Sequence, residues 1–227
     1  MKETSQTCEI KICGLTDPDE ALACAEMKIQ AIGLVFFPKS RRCVSTGQAL
    51  RICRALPETV QTIGVFVNET ADAMLEVAEK SGLTGIQLHG QEPPKVARKL
   101  KSNGLTVIKA LYLEGEPSIA AAESYGADAY LLECAQGFLP GGNAMAWNWQ
   151  AAAGFGERHP FLLAGGLKPE NVVTAIESAK PHGVDVSSGV EAAPGRKDIK
   201  KTMAFVSAVE QYKCQHALRR IFNAGGE

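Results

Sequence analysis

The feature that most restricts this chain is a recurrence. A short apolar run ends in small or polar residues, an amphipathic segment follows, and the pattern returns at roughly 25-residue spacing with no break in composition. Apolar runs at 8–13, 31–37, 60–67, 85–88, 105–111, 128–133, 161–164 and 184–186 read as eight strands. Between them the spacing predicts helices opened at Thr16 or Asp17, at Ser45, over 70–81, 92–102 and 117–125, and at Trp147-Asn148-Trp149. A seventh has Pro169 in its first turn, and the last runs from Asp198 to about Ala217. Strands joined by helical crossovers form a parallel sheet. Eight units, with no G-x-G-x-x-G after the first strand, favour a closed eight-stranded (β/α) TIM barrel over an open doubly wound sheet. The expectation is one α/β domain over residues 1–227, with its core at about 8–217 and a frayed tail over 218–227.

Composition narrows the function. The net charge is −1 and basic residues are not interleaved with aromatics, so no nucleic-acid partner is expected. No apolar run approaches a membrane-spanning length and the start, MKETSQTCEIK, lacks a signal-peptide core, so the expectation is a cytoplasmic protein without membrane contact. Seven cysteines without a C-x-x-C pair read as free thiols in a reducing compartment. The four histidines are isolated, with no H-E-x-x-H and no Cys/His cluster in sequence. Neither a metal nor a cofactor is expected.

Two stretches near the C-terminal end carry the chemistry. Phe161 to Ala164 breaks into Gly165-Gly166, and Val184 to Val186 breaks into Ser187-Ser188-Gly189. Each apolar run leads through small residues toward a helical segment, so free backbone N–H groups and helix partial charge can converge on an anion. One such turn is ordinary; two in tandem at the seventh and eighth strands of a barrel read as a phosphate cradle. The other strand ends supply Cys13, the 39–42 loop, Asn68, His89, Lys109, Glu133 and Asp185. A thiol, carboxylates, cations and an anion cradle point to proton transfers on a small phosphorylated substrate.

These residues carry a resemblance. Lys11-Ile-Cys-Gly14, Gly33-Leu-Val-Phe-Phe-Pro-Lys-Ser-Arg-Arg42, Gly64-Val-Phe-Val-Asn68, Gln87-Leu-His-Gly90, Leu163-Ala-Gly-Gly-Leu-Lys-Pro-Glu-Asn171, Gly183-Val-Asp-Val-Ser-Ser-Gly-Val-Glu191 and Pro194-Gly-Arg-Lys-Asp198 occur in order. Together they resemble the phosphoribosylanthranilate isomerases of tryptophan biosynthesis. The resemblance implies an Amadori rearrangement of N-(5-phosphoribosyl)anthranilate to 1-(2-carboxyphenylamino)-1-deoxyribulose 5-phosphate by general acid/base catalysis. It makes Cys13 the base and puts Glu133, in Leu131-Leu132-Glu133, where the family has an aspartate acid. Arg42 would fork onto the anthranilate carboxylate, His89 would line the pocket, and Asp185 would hold a substrate hydroxyl or brace its loop. Lys11 is expected one layer below Cys13 and is not expected to be the cation that favours its thiolate.

The sixth unit departs from the family. Gly141-Gly142-Asn143-Ala144 replaces a G-G-[ST]-G turn, and Trp147-Asn148-Trp149 replaces F-D-W, with Asn148 expected to cap a helix. Two alternatives therefore stay open beside the isomerase. One is a related barrel acting on another amino-sugar phosphate, and the other is a sugar-phosphate binder with weak catalysis. The expected state is a monomer or homodimer.

Overall fold

Eight parallel strands close on themselves: β1 (Glu9–Cys13), β2 (Ala31–Val35), β3 (Gln61–Phe66), β4 (Gly85–Leu88), β5 (Thr106–Tyr112), β6 (Ala129–Glu133), β7 (Phe161–Leu163) and β8 (Gly183–Val186). Each pairs with the next and β8 pairs with β1. The computed structural model describes residues 7–134 and 147–222. The altered 141–144 turn, the rest of the 135–146 loop and the end of the tail at 223–227 lie outside the described residues.

Period two along each strand decides what faces the barrel axis. Ala31, Ile63, Ile108, Ala110, Ala129, Leu131 and Leu162 form an inner cluster. Their neighbours Ile12, Leu34, Leu88, Leu111, Leu132 and Leu163 pack outward in a second cluster shared with the helices. On the same count Cys13, Gln87, His89, Glu133 and Asp185 fall on the inward parity, above that inner layer.

The helices are α1 (Pro18–Ala25), α2 (Thr46–Ala55), α3 (Ala71–Ser81), α4 (Pro94–Ser102), α5 (Ala122–Tyr125), α6 (Phe155–Arg158), α7 (Val172–Ala179) and α8 (Ile199–Gln211). Those with side-chain caps start where sequence places them. Asp17 caps α1, Ser45 and Gln48 make a reciprocal capping box on α2, Thr70 caps α3 and Asp198 caps α8. Three expectations are corrected. Asn148 makes no side-chain cap; a 3-10 turn over Trp149–Ala152 follows it, and Gly154, at φ 86°, separates that turn from α6. Pro169 lies in the turn before α7, whose Asn171 accepts from the Lys168 N–H. Finally, α8 ends at Gln211 rather than near Ala217.

The chain beyond α8 crosses the barrel floor, which corrects the frayed-tail expectation over 218–222. Ile221 and Phe222 join the inner cluster beneath the strands, and both their N–H groups donate to Glu9 Oε2, at 2.7 and 3.2 Å. Apolar side chains with a floor to fill outweigh the helix propensity of the preceding residues. A hairpin of β9 (Glu191–Ala193) and β10 (Arg196–Lys197), not foreseen from sequence, sits between β8 and α8.

Candidate active site

One cavity at the C-terminal ends of the strands is lined by Cys13, Arg42, His89, Glu133, Gly165, Gly166, Asp185, Ser187, Ser188 and Gly189. The residues given catalytic, substrate or phosphate roles from sequence all line this one cavity. Val35, Phe37, Val65 and Leu167 add apolar walls.

Cys13 ends β1 opposite Gly33 in register. The match is steric: a Cβ on Gly33 would stand 2.6 Å from Cys13 Sγ and 3.0 Å from Lys11 Nζ. The expectation for Lys11 is corrected by the same geometry. Its ammonium lies close enough to the thiol for its charge to favour the thiolate, because the missing side chain of Gly33 leaves room for both. Lys11 is fully buried and paired with Asp185 Oδ1 at 2.7 Å. Burial lifts the Cys13 thiol above its ordinary value; the Lys11 cation opposes that rise, Asp185 adds to it, and Lys197 again opposes it. Two buried cations thus stand ready to pair with a thiolate in a site that otherwise favours the thiol.

Arg42 arrives over Gly14, whose φ is 80° and whose Cβ would lie 2.4 Å from Arg42 Cδ. Only a glycine meets both demands. Its Nε and Nη2 donate to the two carboxylate oxygens of Glu191 at 2.8 and 2.7 Å. The fork predicted for a substrate carboxylate is thus engaged within the protein, leaving Nη1 and the second hydrogen of Nη2 as an end-on pair. Burial disfavours charge on Glu191, but the Arg42 bond and the Lys197 cation outweigh it and hold its carboxyl below the usual range. Lys197 Nζ also donates to Cys13 O and Ser187 O, at 2.7 and 3.1 Å, stitching the ends of β1 and β8 to the hairpin.

His89 stands between Gln87 and Glu133. Gln87 Nε2 lies 2.8 Å from His89 Nδ1, and His89 Nε2 lies 3.4 Å from Glu133 Oε2. With Gln87 donating, Nδ1 is the acceptor and Nε2 carries the proton, which makes no hydrogen bond among the described residues. Glu133 is buried, its Cγ close to Gly165, where the Trp147 indole also packs and donates to Ala164 O at 2.9 Å. Trp149 Nε1 reaches Gly165 O at 3.4 Å, so both tryptophans of the altered sixth unit brace the loop after β7.

That loop forms one arm of the anion cradle. Gly165 and Gly166 take φ of 87° and 67°. The other arm, after β8, opens into a 3-10 turn over Ser188–Val190. The arms touch so closely that a Cβ on Gly189 would lie 1.8 Å from Leu167 O. Among the described residues no backbone hydrogen bond is donated by Gly165, Gly166, Ser188 or Gly189. Such N–H groups suit phosphate oxygens.

Two strand-end residues do not join the site. Lys109 lies on the outward parity of β5 and is fully buried against Glu92 at 2.8 Å and Leu88 O at 3.1 Å. Asn68, at φ 56°, accepts from the Gln91 N–H at 2.6 Å and shapes its own loop. Sequence reasoning missed the roles of Lys11, Gln87, Glu191 and Lys197, although all four sit inside the quoted motifs. Inward parity would have found Lys11 and Gln87; the hairpin residues gave no local signal.

A model of the family described as N-(5'phosphoribosyl)anthranilate (PRA) isomerase matches residues 10–208. The chain is 48% identical over 215 residues to the N-(5'-phosphoribosyl)anthranilate isomerase of Desulfatibacillum aliphaticivorans, covering 95% of this chain and 99% of that one. It is 42% identical over 205 residues to the enzyme of the same name from Syntrophus aciditrophicus, covering 90% and 88%. Among solved structures it is similar to phosphoribosyl anthranilate isomerase from Thermotoga maritima, with a TM-score of 0.83 and 38% identity over 90% of this chain and 100% of that one. A phosphoribosyl anthranilate isomerase in complex with reduced 1-(o-carboxyphenylamino)-1-deoxyribulose 5-phosphate gives a TM-score of 0.80 at 37% identity, with the same coverage.

Proposed function

Because the chain belongs to the N-(5'-phosphoribosyl)anthranilate isomerase family, we propose that it carries out the Amadori rearrangement of tryptophan biosynthesis with Cys13 as base and Glu133 as acid. Glu133 donates a proton to the ring oxygen of N-(5-phosphoribosyl)anthranilate as the furanose opens. Cys13 removes the proton at the sugar's C2, and the enolamine so formed settles as the ketone. Only protons move, so the chemistry calls for no redox group. The observation that carries this reading is the placement of Cys13 and Glu133 in one cavity with the tandem glycine/serine arms.

The surrounding residues divide the remaining work. Lys11 and Lys197 stabilise charge on Cys13 as it forms. The His89 contact, with Gln87 behind it, orients Glu133, whose extra methylene relative to aspartate must be accommodated to within about 1 Å. Arg42, held by Glu191, offers its end-on donors to the anthranilate carboxylate, and the backbone of the two arms takes the phosphate. Asp185 stays with Lys11 and keeps that cation at the thiol. Neither alternative is favoured: a barrel that only binds a sugar phosphate has no need of a base flanked by two cations. We read the chain as one domain acting in the cytoplasm on a small phosphorylated substrate, as monomer or homodimer.

Turnover of N-(5-phosphoribosyl)anthranilate by the purified protein is the test. Cys13→Ala and Glu133→Gln are each expected to keep the fold and lower kcat by about 100-fold or more. Absence of turnover in the unaltered protein defeats the function, and near-normal turnover in either variant removes that residue from the mechanism.

A further inference from the structure

At the opposite end of the barrel lies a side-chain cluster that the rearrangement does not use. Cys8, just before β1, meets Cys214 and His216 on the segment that follows α8. The two sulfurs are 3.4 Å apart, and one donor atom from each of the three residues lies within 4.8 Å of the others. Cys8 is 3% exposed, whereas Cys214 and His216 are half-buried. Pro181 O serves both sides of the cluster, accepting from Cys8 Sγ at 3.3 Å and lying 2.7 Å from His216 Nε2.

We propose that Cys8, Cys214 and His216 form a zinc site, with water as fourth ligand, that fastens the C-terminal segment beneath the barrel. Two sulfurs and an imidazole are the donor set that borderline-soft divalent zinc prefers. A tetrahedral ion with bonds of about 2.3 Å to sulfur and about 2.0 Å to nitrogen holds its donors roughly 3.3–3.8 Å apart. The two sulfurs stand at 3.4 Å, and the imidazole donor lies within 4.8 Å of both. Binding releases the two thiol protons to solvent, so the dication and two thiolates sum to zero charge, which suits a largely buried position. Two protonated thiols in contact, by comparison, gain little from each other, because the S–H group is a weak donor and sulfur a weak acceptor. The half-exposure of Cys214 and His216 leaves a path for the ion and a place for the water. The consequence is structural: the segment so fastened carries Ile221 and Phe222 into the barrel floor.

The experiment uses the full chain, purified without chelator under a phosphine reductant and titrated with zinc against a chromophoric chelator. One zinc per chain is expected, and cobalt(II) should show thiolate-to-metal charge-transfer absorption. Free zinc at a hundred times the dissociation constant should raise the melting temperature by roughly 5–10 °C. Cys214→Ser and His216→Ala should each weaken zinc binding by about 100-fold or more while leaving isomerase turnover unchanged, which serves as the control for folding. Cys8→Ser, at the buried position, should behave alike where it folds. Absence of stoichiometric zinc overturns the proposal. So does equal binding by the Cys214→Ser/His216→Ala double variant, or a cobalt spectrum without a thiolate band.

Discussion

Arg42 shows how much one side chain's partners matter. An arginine's five N–H donors form two parallel pairs, one on its side and one at its end, and here Glu191 holds the Nε–Nη2 side. A lysine could meet Glu191 or a substrate carboxylate, but not both with planar geometry. Arg42→Lys is therefore expected to raise KM about 10-fold or more, with a smaller effect on stability. Steady-state kinetics checks this, and an unchanged KM would confine Arg42 to bracing its loop. Cys13 gives the same lesson. Its character comes from burial set against Lys11 and Lys197, and the close approach of Lys11 exists only because residue 33 has no side chain.

At the scale of elements, the entry of β8 is as constrained as its exit. His182, 2% exposed, accepts the Phe161 N–H on Nδ1 at 3.3 Å and stacks edge-on to Phe161, joining β7 to the residue before β8. Burial, with smaller contributions from Arg219 and His216, lowers its pKa to about 4. The folded value lies below the ordinary one of 6.5, so the neutral ring stabilises the fold above that pH. This stabilisation is lost as pH falls from 6.5 toward 4, by roughly 3 kcal/mol if His182 acts alone. His182→Asn keeps an acceptor for Phe161 but does not titrate, so its denaturant-measured stability should fall less across that window. An identical pH slope in both proteins would move the effect to another group. At the exits, the loops after β7 and β8 act as one piece, because Gly189 packs against the Leu167 backbone and Trp147 against Gly165.

The whole molecule is closed from below by its own C-terminal segment. Phe222 is 2% exposed and fills the inner layer with Ile221, while Glu9 takes their N–H groups and Arg219 donates to Arg158 O at 2.9 Å and also to Glu157 O. Removing a buried phenyl ring costs about 3–5 kcal/mol when the space cannot collapse. Phe222→Ala should cost about 3 kcal/mol in urea-measured stability and leave turnover largely intact, since the site is at the far end. A loss under about 1 kcal/mol would mean the floor does not depend on this plug.

The strand and helix order, the barrel and the residues lining its mouth were legible in sequence because period-two and period-3.6 patterns are local, as are the caps at Asp17, Ser45, Thr70 and Asp198. Parity also separates Cys13 and Glu133, which face inward, from Lys109, which does not. What only the tertiary structure decided are partnerships between residues far apart in the chain. Arg42 with Glu191, Lys197 with Cys13, Glu9 with Phe222 and Cys8 with Cys214 are 149, 184, 213 and 206 positions apart. Barrel closure brings β8 and the final segment beside β1, and no periodicity within one stretch encodes which side chains then meet. The same reason governs the close approaches at Gly33 and Gly189. A glycine in sequence announces that room is needed, and only the folded chain shows for what.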